Sequence, residues 1–314
     1  LTTRAQILQL GSFLPALEQG LQQRFHVHRW PDDEPQEAWL TEHAQDVRGL
    51  VTGANLGVRN ALIARLPALG IIAINGVGFD RVELPFARSR GIRVTNTPDV
   101  LTDDVADLTL GLIIGLLRDV PAADRYVRDG RWLAGPMPLG RKVSGRRFGI
   151  IGLGRIGRAI AARLEVLGPV AYSARAAQAD QGRYRYVADP LELARDSDVL
   201  VLAASVTDSS RRLVGRALLD ALGPEGYLVN IARGTLIDQQ QLISALQERR
   251  IAGAALDVYD DEPRVPDALR ALPNVVLTPH IGSATHETRA GMARMVLASL
   301  DAFFAGTPVP NALT

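Results

Sequence analysis

The chain has 314 residues, with 35 basic and 34 acidic side chains and no cysteine. That length suits two hydrophobic cores better than one, and the near-zero net charge gives no grounds for a nucleic-acid or membrane-surface partner. The missing cysteines exclude disulfides, thiolate nucleophiles and cysteine metal sites.

In the N-terminal third, QILQL, RGLVTG, GIIAING and GIRVTNT read as short strands bounded by Gly, Asn or Thr. PALEQGLQQRF and VRNALIARLPAL lie between them with helical spacing. Such alternation implies a parallel sheet covered by helices on both faces. LTTRAQILQL lacks the basic and long apolar segments of a secretory signal, so a cytoplasmic location is expected.

The next segment is a helix capped by Thr102 or Asp103, with Val105, Leu108, Leu112, Ile113 and Leu116 recurring at helical spacing. Its run LTLGLIIGLL is about half of the ~20 residues a bilayer span needs, so it is expected to be buried and to bridge two domains. RDGRWLAGPMPLGRKVSG follows as an irregular loop. From Arg147 the alternation restarts with more continuously apolar strands: RFGIIG, PVAYS, DVLVLAA, GYLVNIA, GAALDV and NVVLTP. ATHETRAGMARMVLASLDAFFAG closes the chain as a long amphipathic helix ending at Gly306. The fold class expected is α/β, as two doubly wound parallel-sheet units.

Gly152-Leu153-Gly154-Arg155-Ile156-Gly157 is the strongest local signal, because a buried strand precedes it and a helix follows. Gly152 permits the tight turn, Gly154 lets backbone approach a pyrophosphate at the helix N-terminus, and Gly157 lets helix pack on strand. The plain alternative is a tight strand-to-helix turn. Ser173 and Arg175 fall 16 and 18 residues after Gly157, near where a nicotinamide dinucleotide presents its adenosine ribose. An acid there would bind the ribose 2′-hydroxyl and repel a 2′-phosphate. A hydroxyl with an Arg invites the phosphate, so NADP(H) is expected over NAD(H), which stays possible. An ordinary solvated Arg at a strand end is the plain alternative here.

NIARGTLID with Arg233, ALDVYDDEP with Asp257 and Glu262, and LTPHIGSAT with His280 end three strands of the second unit, where open α/β sheets bind ligands. Singly, these are a surface cation, a loop acid and a histidine after a proline. Together they suit reduction of a 2-oxo acid. Arg233 clamps the carboxylate, His280 protonates the carbonyl oxygen as hydride reaches carbon, and Glu262 fixes the histidine tautomer and favours its charged form. His26 and His28 with Asp32 and Asp33 suggest a metal only weakly, since HVHRWPDD offers no further soft ligand; no metal is expected.

GIIGLGRIG, NIARGTLID, ALDVYDDEP and TPHIGSAT, with NGVGFD and VTNTPDVLTDDVADL upstream, resemble the D-isomer-specific 2-hydroxyacid dehydrogenases over nearly the whole chain. The resemblance implies a discontinuous substrate domain, 1–98 with 286–314, and a dinucleotide domain at 99–285. It implies Arg233, Glu262 and His280 as the catalytic trio. Backbone N–H groups of Val77 and Gly78 would hold the substrate carboxylate. Beyond the glycine loop, Ser173 and Arg175, the cofactor contacts implied are Thr207, Ile231 through its carbonyl, Ala232, Asp257 at the nicotinamide carboxamide, and Gly282. Ser205 stands where relatives commonly have proline. The family forms dimers, with LAGPMPLG the candidate for the cross-subunit contact. Ser/Thr-x-Arg after the second strand is similar to the NADPH-preferring glyoxylate, hydroxypyruvate and hydroxyphenylpyruvate reductases. An aromatic or sugar-derived 2-oxo acid is the alternative substrate, and a non-catalytic dinucleotide-sensing protein on the same fold is a remote one.

Overall fold

The computed structural model describes residues 4–31, 36–178 and 182–314. Two compact units divide the chain: Leu1–Leu101 with Ala284–Thr314, and Thr102–Ser283.

In chain order the first unit begins β1 (Gln6–Gln9), α1 (Pro15–Arg24), β2 (His26–Arg29), α2 (Gln36–His43), β3 (Val47–Gly53) and α3 (Asn60–Ala64). It continues with β4 (Ile71–Asn75), α4 (Leu84–Ser89) and β5 (Arg93–Thr95). The second unit opens with α5 (Thr102–Leu117), α6 (Val120–Arg128), β6 (Phe148–Ile151), α7 (Arg155–Leu164), β7 (Val170–Ser173) and β8 (Arg185–Tyr186). After these come α8 (Pro190–Arg195), β9 (Val199–Leu202), α9 (Arg216–Leu222), β10 (Tyr227–Asn230), α10 (Gln239–Gln247), β11 (Gly253–Leu256), α11 (Asp267–Arg270) and β12 (Val275–Leu277). The chain then returns to the first unit as α12 (His286–Phe304).

The first unit's sheet has the parallel order β2-β1-β3-β4-β5. Strand alternation sends neighbouring side chains to opposite faces. Ile7, Val51 and Ile71 pack with Leu17 and Leu21 of α1 and Val296 and Leu300 of α12. Leu8, Leu50 and Ile72 turn the other way, to Ile63, Leu66 and Ala87. Each such fully buried aliphatic side chain contributes about 1.5–3 kcal/mol. β2 is the strand that the sequence hides. HVHR has no buried residue, and the His28 ring meets His26 edge-on and His43 at a tilt, at ring-centroid spacings of 4.7 and 4.4 Å. Among the described residues no group of three or more His, Asp or Glu is disposed to hold a metal; Asp32 and Asp33 lie outside the described residues.

The second unit's sheet runs β12-β11-β10-β9-β6-β7-β8, all parallel. β6, β9, β10 and β11 are buried at every position, which is why their sequences show no alternation. Strand order reverses between β6 and β9, the switch point where doubly wound sheets open a ligand crevice. α5, expected to bridge two domains, belongs wholly to this unit; it packs along α7 and buries Leu112, Ile113 and Leu116. No helix of the described residues is long and apolar enough to cross a membrane.

Candidate active site

The glycine loop joins β6 to α7 at the switch point. Gly152 takes φ 97°, and a Cβ there would strike the backbone of Ala203 and Ala204 after β9. A Cβ on Gly157 would overlap the Gly152 carbonyl oxygen. Gly154 is different: nothing lies within 4 Å of where its Cβ would stand, and it is the N-cap of α7. Two glycines thus close the turn and the third opens it, leaving room at a helix N-terminus for a pyrophosphate. Leu153 is buried, while Arg155 and Ile156 form the first turn of α7. The residues present fit a dinucleotide.

β7 lies beside β6 with Ser173 opposite Ile151, and the Ser173 carbonyl accepts the Gly152 N–H at 2.8 Å. This pairing brings the end of β7 alongside the glycine loop. Arg175, two residues on, is exposed and makes no hydrogen bond or ion pair with a described residue. Ser173 is only 3 % exposed, and its hydroxyl donates to the Ala188 carbonyl at 3.4 Å. Of the two, Arg175 is the accessible cation, and the Ser173 side chain faces the protein.

Across the switch, Thr207 is exposed and its N–H donates to Ser210 Oγ at 2.7 Å. The Ser210 hydroxyl also donates to the Ser205 carbonyl at 3.1 Å, so a serine turn shapes the segment in which relatives commonly place proline. At the end of β10, the Asn230 side chain accepts the Ala232 N–H at 3.0 Å and donates to the Arg233 carbonyl at 2.9 Å. Ile231, Ala232 and Arg233 are thereby held in a tight turn, with the Arg233 guanidinium donating to the Ala232 carbonyl at 2.8 Å.

His280 and Glu262 meet directly: Nδ1 lies 2.8 Å from Oε2, with the side chains 26 and 23 % exposed. Glu262 Oε1 accepts the Tyr259 N–H at 3.1 Å. Burial pushes the Glu262 carboxyl up, but His280, the Tyr259 N–H and the nearby Arg233 charge outweigh it and hold it below the ordinary carboxylate value. An ionised Glu262 selects the tautomer with hydrogen on Nδ1, so proton exchange with a substrate falls to Nε2.

His280 occupies a left-handed backbone conformation, φ 54°, and Asp257 anchors that turn. The Asp257 carboxylate is fully buried and accepts from the Thr278 hydroxyl at 2.6 Å, the Ile281 N–H at 2.8 Å and the Gly282 N–H at 2.9 Å. These bonds tie Asp257, expected at a nicotinamide carboxamide, to the loop that carries the histidine.

Tyr259 is a site residue that sequence reasoning passed over. Its hydroxyl donates to the carbonyls of Leu256 at 3.1 Å and Thr278 at 2.9 Å, tying the ends of β11 and β12. Burial and the neighbouring Asp257 and Glu262 charges push that phenol up to about 12. Its backbone is packed so closely under Gly234 that no side chain fits there. Arg233, Glu262 and His280 therefore sit on three loops keyed to one residue.

Val77 and Gly78 belong to the first unit, in the loop after β4. Gly76 takes φ 153° against Ala54, and the Asn96 side chain donates to the Val77 carbonyl at 2.8 Å. The Val77 and Gly78 N–H groups donate to no described residue.

This architecture is shared widely. Residues 110–282 match the family model of the D-isomer specific 2-hydroxyacid dehydrogenase, NAD binding domain. The chain is 47 % identical over 308 residues to the glyoxylate/hydroxypyruvate reductase A of Arabidopsis thaliana, covering 96 % of this chain and 98 % of that one. It is 46 % identical over 304 residues to the hydroxyphenylpyruvate reductase of Plectranthus scutellarioides, covering 96 and 97 %. Among solved structures, the NADPH-dependent glyoxylate/hydroxypyruvate reductase of Sinorhizobium meliloti, in complex with NADP and malonate, superposes with a TM-score of 0.93 at 39 % identity, covering 99 and 97 %. With a glycine loop at the switch point, a histidine–glutamate pair beside an arginine, and this identity along nearly its whole length, the chain belongs to the D-isomer-specific 2-hydroxyacid dehydrogenases.

Proposed function

We propose that the protein is an NADPH-preferring 2-oxo acid reductase that converts glyoxylate or hydroxypyruvate to the D-2-hydroxy acid. The observation that carries the chemistry is the 2.8 Å His280–Glu262 pair with Arg233 in its field. When bound, the nicotinamide supplies the hydride to the carbonyl carbon. Arg233 binds the substrate carboxylate and orients the carbonyl. On the first unit, the Val77 and Gly78 N–H groups, which donate to no described residue, are the candidate carboxylate donors. His280 Nε2 delivers the proton to the carbonyl oxygen as charge develops there, and Glu262 stabilises the imidazolium before transfer. Gly152, Gly154 and Gly157 with the first turn of α7 would hold the pyrophosphate. Thr207, Ile231, Ala232 and Gly282 complete the proposed cofactor wall, where Asp257 acts by fixing the Gly282 N–H.

The preference for NADPH rests on Arg175, an exposed cation beside the glycine loop with no acid in the β7 end. The relatives named above support glyoxylate and hydroxypyruvate, and the Plectranthus enzyme supports an aromatic 2-oxo acid as the second reading. We also propose a homodimer, supported by Leu133 and Leu139, which stand 96 and 98 % exposed in the LAGPMPLG segment. Light scattering of the purified protein tests that.

Initial rates for a panel of 2-oxo acids, each with NADPH and with NADH, test the whole reading. Turnover of small 2-oxo acids with NADPH favoured is expected; no turnover of any acid would leave a dinucleotide-sensing protein instead. His280→Ala should lower kcat about 10²–10⁴-fold. Arg175→Ala should reduce the NADPH-over-NADH preference by about tenfold or more, the worth of a charge-assisted hydrogen bond. An unchanged preference would remove Arg175 from that role.

A further inference from the structure

A pocket of about 870 Å³ lies wholly within the first unit, at the carboxyl ends of β1 and β4. Phe13, Leu14 and Leu17 line one side at the entry to α1, Ala293 and Arg289 of α12 the other, and Asn75 its base. No carboxylate lines it. The Arg289 guanidinium makes no hydrogen bond or ion pair with a described residue. Asn75 Oδ1 is shielded from solvent and without a partner. Burial alone draws the Arg289 guanidinium below its ordinary value, and no neighbouring acid offsets the cost. A half-buried cation and an unsatisfied amide oxygen against apolar walls are unfavourable until a ligand brings an acceptor oxygen to Arg289 or a donor such as a hydroxyl to Asn75 Oδ1.

Asn75 stands two residues before Val77, so the pocket adjoins the loop whose N–H groups are assigned to the substrate carboxylate. Ligands of open α/β sheets bind at these strand ends. A two-carbon acid held at that loop leaves most of the volume unfilled, and the walls suit a carbon chain.

We propose that this pocket receives the side chain of the 2-oxo acid, and that Arg289 selects substrates carrying an acceptor oxygen, a hydroxyl or a carboxylate, beyond C2. The inference rests on the reductase reading above and narrows its substrate class.

The test compares kcat/KM for hydroxypyruvate, oxaloacetate and pyruvate, which present a hydroxyl, a carboxylate and a methyl group at the same carbon. Wild type should favour at least one of the oxygenated acids over pyruvate, and the favoured one identifies the oxygen source. Arg289→Met should reduce that preference about ten- to hundredfold, as expected for losing a charge-assisted hydrogen bond. Arg289→Lys should restore part of it. A wild-type enzyme that prefers pyruvate to both acids overturns the inference without any variant. So does an Arg289→Met enzyme that melts like wild type and keeps the preference within twofold. Failure of the wild type to reduce any 2-oxo acid with either cofactor overturns the reductase reading, and this inference with it.

Discussion

Replacing Asp257 by Asn separates two roles for a buried acid that the sequence alone confuses. If its work is to grip a nicotinamide carboxamide, the amide should weaken the cofactor and leave the fold alone. The structure argues otherwise. Oδ1 accepts from the Thr278 hydroxyl and the Ile281 N–H, and Oδ2 from the Gly282 N–H. Whichever way an Asn is turned, its NH₂ faces one of the two backbone donors. One buried N–H is then left unsatisfied, at about 1–3 kcal/mol, and the two surviving bonds lose their charge assistance, about 1 kcal/mol each. The expected loss is about 3–5 kcal/mol. At ~2–4 °C per kcal/mol for a unit of this size, the melting temperature should fall by roughly 10 °C. Because the same turn carries His280 at φ 54°, kcat should drop by about 10²-fold, the scale expected when a proton donor is displaced by ~1 Å. Thermal melting and steady-state kinetics on one preparation read both. A variant that melts within ~2 °C of wild type, with its defect confined to the cofactor KM, would refute the anchoring role.

Gly157→Ala should weaken dinucleotide binding at least tenfold in a fluorescence titration and cost about 1–3 kcal/mol of stability, since its Cβ has no place but the Gly152 carbonyl. Tyr259→Phe should cost about 1 kcal/mol and a few-fold in kcat, because the Leu256 and Thr278 carbonyls keep the N–H donors of Thr278 and His280 when the hydroxyl goes; chemical denaturation with parallel kinetics measures both. The first unit should lose stability in mild acid. His28 lies below its ordinary value of 6.5 because it is desolvated and faces His43 and His26, effects only partly countered by Asp46 and Glu42. The unfolded chain therefore takes up the proton first, so stability is complete above pH 6.5 and falls as pH drops toward the folded-state value. Denaturant midpoints across that range should show the slope, and His28→Phe, which keeps the ring contacts with Trp39 and His43, should flatten it.

Much of the fold was legible because a parallel sheet writes its strands as continuous apolar runs and its turns as glycine. FGII, VLVL, YLVN and GAAL are buried at every position, and each lies where the sequence predicts a strand. β2 and β8 were not legible, being short, at the sheet edges and without a core-facing stripe. Arg233, Glu262 and His280 stood out in the sequence because each follows a strand segment, and the structure pairs His280 with Glu262 in the field of Arg233.

What the sequence could not supply is the direction of single side chains. In a strand buried on both faces, period-two alternation carries no information, so Ser173 and Tyr172 are both enclosed and only Arg175, past the strand end, is exposed. Asp257 shows the same limit: the family resemblance implies a nicotinamide contact, but its hydrogen-bond partners within the chain come from Thr278, Ile281 and Gly282, more than twenty residues later, and only the pairing of β11 with β12 brings them within reach. The same pairing explains Tyr259, whose hydroxyl closes the gap between those two strand ends while its N–H holds Glu262. Motifs in this chain name the groups that do chemistry. The residues that keep those groups in place become visible only once strand neighbours are known, and that division makes Asp257 and Tyr259 better tests of the structure than His280 is.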